Sequence, residues 1–117
     1  MSLAVPVAGQ LVRAKRARNR LAKASAAQDC TQLQQLPNIG PATAADLRLI
    51  GITEPQQLRS QDPMAMFDKL CHLTKQRHDP CVLDTFMAAV DFMNGAAAAP
   101  WWAYTAQRKA MLRAQGT

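Results

Sequence analysis

Three prolines constrain this chain most. Pro41, Pro63 and Pro80 each follow a residue suited to cap a helix: Gly40, Asp62 and Asp79. Proline is favoured at the first helical position, where its fixed φ fits and its missing N–H costs nothing. Each pair is therefore a helix start. Three starts within 117 residues leave room only for short helices. Valine, isoleucine and threonine never alternate with polar residues as a half-buried strand requires, while alanine, leucine and methionine are plentiful. The expectation is an all-α fold: a compact bundle of five to six short helices.

Boundaries follow from the same signals. Thr31 with Gln34 fits a capping box for a short helix ending by Leu36, because Pro37 disfavours its continuation. The helix from Pro41 runs to Ile50 and stops at Gly51. Thr53 with Gln56 is read as a second box, opening a helix through Arg59. Longer helices are expected over 63–76, 80–94 and 105–114, the second closed by Asn94-Gly95. Helical spacing assigns the core to Leu33, Leu36, Ile39, Ala44, Leu47, Ile50, Ile52, Leu58, Met66, Phe67, Leu70, Leu73, Val82, Phe86, Ala89, Val90 and Met93. No internal repeat is apparent.

Charge divides the chain in two. Arg13, Lys15, Arg16, Arg18, Arg20 and Lys23 precede the first acid, Asp29, and the other eight Lys and Arg are matched by eight Asp and Glu, so the formal +6 resides in residues 1–28. Read at 100° per residue, a helix from about Gln10 to Gln28 would align Arg13, Arg16, Arg20 and Lys23 on one stripe, beside a thin stripe of alanine. Residues 1–28 are therefore expected to be a basic helical arm, weakly anchored, and residues 29–117 the folded domain. Such an arm suits an anionic partner.

No apolar run reaches eighteen residues and no signal-peptide pattern opens the chain, so a cytoplasmic protein without membrane contact is expected. Cys30, Cys71 and Cys81 make an odd number, which argues for reduced thiols over a disulfide framework.

The stretch "LPNIGPATAA" at residues 36–45 carries more punctuation than a corner needs. With its flanks it resembles the helix-hairpin-helix motif, whose usual core reads leucine-proline-glycine-hydrophobic-glycine with an alanine four residues on. Leu36, Pro37, Asn38, Ile39, Gly40 and Ala44 fill those places, and only Asn38 departs from the pattern. Asparagine tolerates left-handed backbone angles better than other non-glycine residues. The resemblance implies binding to a nucleic-acid phosphate through backbone amides, and the residues suit it. The first N–H groups of a helix lack internal partners and sit at the positive end of its dipole. Asn38, Ile39, Gly40, Ala42 and Thr43 form the expected site, with Arg13, Arg16, Arg20 and Lys23 on the arm. Contact of this kind is independent of base sequence. One hairpin on a neutral body binds weakly, which admits a homodimer.

Taken together, "LPNIGPATAADLRLIGI", "LCHLTKQRHDPCVLDTFMAAVDFMNG" and "PWWAYTAQRK" resemble the small bacterial family of pathogenicity-locus or mitomycin-resistance proteins over residues 29–110. The hairpin also resembles the C-terminal domain of the competence regulator TfoX. The family resemblance implies an all-helical, DNA-associated domain, with a link to DNA damage or drug resistance.

An enzyme is not expected. In bifunctional helix-hairpin-helix glycosylases a catalytic lysine sits two residues after the second glycine, a place held here by Ala42. Cys71, His72, His78 and Cys81 lie within eleven residues but lack zinc-site spacing. Cys81, in the first turn of a helix near His78, is the one candidate for a reactive thiol. No cofactor, metal or catalytic residue is assigned. The alternatives are a protein-interaction adaptor and a thiol- or metal-dependent protein using Cys81. Trp101, Trp102 and Tyr104 are expected to cover the core rather than stack on bases.

Overall fold

A computed structural model of the chain describes residues 22–116. Among them are four α-helices, α1 (Pro41–Leu49), α2 (Pro63–Thr74), α3 (Cys81–Met93) and α4 (Thr105–Ala114). Short 3-10 turns lie at Ala27–Asp29, Leu33–Gln35, Pro55–Ser60 and Trp101–Tyr104, and no strand occurs among the described residues. The fold is all-helical, as expected, although the short helices read from Thr31 and Thr53 are 3-10 turns.

The proline starts are realised with one shift. Pro41 and Pro63 open their helices, whereas Pro80 is the cap residue before α3. Asp62 Oδ1 accepts from Met64 N at 3.2 Å and Asp79 Oδ1 from Cys81 N at 2.8 Å. Replacing Asp62 by alanine is expected to lower stability by about 1 kcal/mol in a urea melt, and replacing it by asparagine to cost far less. Equal melts for the two variants would remove Asp62 as the cap. α2 ends two residues before the expected boundary because Lys75 turns left-handed, at φ 57°.

Both capping boxes fall one residue later than expected. Gln35 Oε1 accepts from Thr31 N, Gln32 N and Thr31 Oγ1 at 2.9, 2.9 and 3.0 Å. Gln57 Oε1 likewise accepts from Thr53 N, Glu54 N and Thr53 Oγ1. The stretches "TQLQQL" and "TEPQQL" thus repeat one device, with Gln32 and Glu54 as caps instead of the threonines. The second of two adjacent glutamines reaches back.

α3 is the axis of the body. It packs on α2, α4 and three of the 3-10 turns, and ten of its residues are buried. A helix covered on all sides explains why Leu83, Met87 and Phe92 join the expected Phe86, Ala89, Val90 and Met93 in the core. Leu73 is a correction, 48% exposed near the end of α2, while Val82 is half-buried and packs against the core's edge.

Asp84, fully buried on α3, accepts from Arg108 Nε at 2.9 Å, Arg108 Nη2 at 3.4 Å and Thr105 Oγ1 at 2.8 Å. These bonds hold α4 against α3. Arg108 is consumed here and its pKa is raised, chiefly by its bond to Asp84.

The segment expected to be an arm ends differently. Residues 22–26 are not helical, and Ala26 is extended at φ −147°. The chain must extend here because Ala24 N donates to Gln35 O at 2.9 Å, lacing the segment to the body. The expected helix before residue 22 lies outside the described residues.

Candidate nucleic-acid interface

The 36–40 turn is pinned from below and tied on two sides. Leu36, Pro37 and Ile39 are buried. Asn38 adopts φ 67°, a left-handed angle that asparagine tolerates better than other non-glycine residues. Its side-chain Nδ2 donates to Ala99 O at 2.8 Å. On the other side Lys23 Nζ donates to Gln34 O at 2.9 Å and Ile39 O at 2.8 Å. Burial lowers the Lys23 pKa, with the nearby Cys30 opposing.

Gly40 is the cap residue of α1, and no side chain caps the helix. The first internal bond is Ala44 N to Gly40 O at 2.9 Å, so the Ala42 and Thr43 amides precede the ladder. Ala42 is exposed, and Gly40 and Thr43 are half-buried. Gly40 has φ −99° and ψ −171°, angles open to any residue, and a Cβ there would meet nothing within 4 Å. Neither backbone nor packing requires glycine at this position. What its missing side chain provides is free approach to the amides.

The sequence-predicted residues divide accordingly. Asn38, Ile39, Gly40, Ala42 and Thr43 come together in one turn, with Asn38 and Ile39 shaping it and the other three presenting its edge. Lys23 lies beside them as a clamp on backbone carbonyls, with one ammonium proton left over. Arg13, Arg16 and Arg20 lie outside the described residues. The Asn38 tether to Ala99 had no sequence signal, since its acceptor is a main-chain carbonyl 61 residues away.

The sulfur and imidazole groups do not converge. His78 Nε2 pairs with Thr74 Oγ1 at 2.8 Å, His78 N donates to Cys71 Sγ at 3.4 Å, and His72 is exposed. Among the described residues no three His, Cys, Asp or Glu side chains gather as for a metal. Burial pushes the Cys81 thiol pKa up, and the Asp79 carboxylate pushes it further. No helix among the described residues is long and apolar enough to cross a membrane. Tyr104 packs against the core, and Trp101 is half-buried, but Trp102 is 63% exposed.

A model of the pathogenicity-locus family matches residues 26–110, from just after Ala24 to the middle of α4. The mitomycin resistance protein McrB of Streptomyces lavendulae is 44% identical over 88 residues, covering 75% of this chain and 84% of that protein. No solved structure matches the chain.

Proposed function

The chain belongs to the pathogenicity-locus family, and from that premise we propose that it is a DNA-binding module, not an enzyme, that grips the phosphate backbone without sequence preference. In this reading residues 33–49 work as a helix-hairpin-helix element. The name of its mitomycin-resistance relative supports a setting of drug resistance.

One observation carries the reading: the amino end of α1 has no side-chain cap, and a Cβ at Gly40 would meet nothing within 4 Å. Unpaired amides at a positive dipole end favour a phosphate oxygen over a neutral group. Asn38, Ile39 and the Lys23 clamp hold that end rigid, so little order is lost on binding. Arg13, Lys15, Arg16, Arg18 and Arg20 add charge without adding selectivity.

Titrating a blunt duplex against salt tests this. Neutralising about four to six phosphates predicts a log–log slope near −4 to −5. Removing residues 1–21 deletes five cations yet leaves Lys23 and Ala24 on the turn, and is expected to flatten the slope by up to ~4.5. Binding equal at about 50 mM and about 200 mM salt contradicts the electrostatic account.

A further inference from the structure

The linker between α3 and α4 passes over the turn, held there by the Asn38 bond to Ala99. Between them runs a groove of about 290 Å³, lined by Lys23, Ala24, Pro37, Asn38 and linker residues 98–100. Most of its lining residues are alanine and proline, with Lys23 and Asn38 as the polar ones. Just past its end, Trp102 is 63% exposed, with its ring 5.5 Å from Trp101 in an edge-on contact at 85°. The 3-10 turn that carries Trp102 packs on α3, and its Tyr104 packs against the core.

Chain connectivity puts these parts within one ligand's reach. Trp102 is three residues from Ala99, a Cα separation of at most about 11 Å, and Gly40 is two residues from Asn38, at most about 8 Å. The α1 amides, the groove and Trp102 therefore lie within a few nucleotides' length of one another.

We propose that the groove and the Trp102 indole take unpaired bases of a DNA strand whose phosphate lies at the α1 amides, making single-stranded or branched DNA the preferred substrate class. This rests on the phosphate reading above. Every base has a π-face, so stacking keeps the contact sequence-independent. Paired bases in a blunt duplex have no free face to offer, and extruding one costs unstacking energy. A blunt duplex therefore uses the phosphate contact alone.

The full chain is titrated with oligo(dT) and with a blunt duplex of equal length, following anisotropy and tryptophan emission. Oligo(dT) is expected to bind more tightly than duplex and to quench the emission. Trp102→Ala should lower oligo(dT) affinity about tenfold and leave duplex affinity and the melting temperature as in the parent, while Trp102→Phe keeps most of the binding. A Trp102→Ala protein that binds oligo(dT) like the parent, or that loses both ligands equally, overturns the proposal. If the parent binds duplex and shows no preference for oligo(dT), only the stacking falls. If it binds neither ligand, the phosphate reading falls with it. Tighter binding of oligo(dT) than of oligo(U) supports the DNA strand, and the reverse overturns that choice.

Discussion

Replacing Asp84 by alanine is expected to destabilise the protein by about 3–5 kcal/mol, the cost of leaving one member of a buried ion pair alone. Asp84 is fully buried and the Arg108 side chain is only 11% exposed, so water repairs little of the damage. The carboxylate receives three bonds from two residues of α4. Its loss strands a guanidinium and the Thr105 hydroxyl together. For a domain of this size the melting temperature should fall by at least about 12 °C. Changing both Asp84 and Arg108 to leucine should recover most of the stability, because apolar side chains of similar volume replace a buried pair at little cost. Urea unfolding followed by circular dichroism checks both variants, and a loss below about 1 kcal/mol for Asp84→Ala contradicts the pair's role. The effect reaches the site as well. Ala99, which holds Asn38, lies in the linker that α4 anchors, so freeing α4 loosens the turn.

Sequence made some features plain and hid others for physical reasons. Starts at Pro41 and Pro63 follow from local stereochemistry, so the residues themselves announce them. Core positions on α1 and α2 follow from period, with Leu73 missed because periodicity does not say where a helix runs past its neighbours. Burial of Leu83, Met87 and Phe92 depends on α3 being surrounded, which is a property of the whole bundle. Asp84 gave no signal, since an isolated acid on a helix reads as surface until Arg108, 24 residues on, is placed beside it. Adjacent glutamines made each capping box ambiguous by one residue, and geometry chose Gln35 and Gln57.

The site was legible to the same depth. Asn38 was readable as a left-handed residue because few others tolerate that angle. Lys23 was read as a stripe residue of a helical arm, but residues 22–26 are not helical and its ammonium binds two carbonyls of the turn. A charged residue's partner is set by tertiary placement, which spacing along a presumed helix does not report. The sequence groups Trp102 with Trp101 and Tyr104 as core-covering aromatics, and its exposure is visible only once the linker's path is known.

Gly40 offers the most direct test of the central claim. Its backbone angles and the space around it accept a side chain, and aspartate is among the best residues at a helix cap. In Gly40→Asp the carboxylate is expected to accept from the Ala42 or Thr43 amide, holding stability constant or raising it by a few tenths of a kcal/mol. The same carboxylate would occupy the position of a phosphate oxygen and repel an incoming one. DNA affinity should therefore fall by at least about tenfold, the worth of roughly one hydrogen bond to a charged group. Stability and binding thus move apart in a single variant, which a folding defect would not produce. The measurement is duplex affinity of Gly40→Asp against the parent at matched salt, beside their melting curves. Tenfold weaker binding at unchanged or higher stability is predicted, and a Gly40→Asp protein that binds DNA as tightly as the parent contradicts the account.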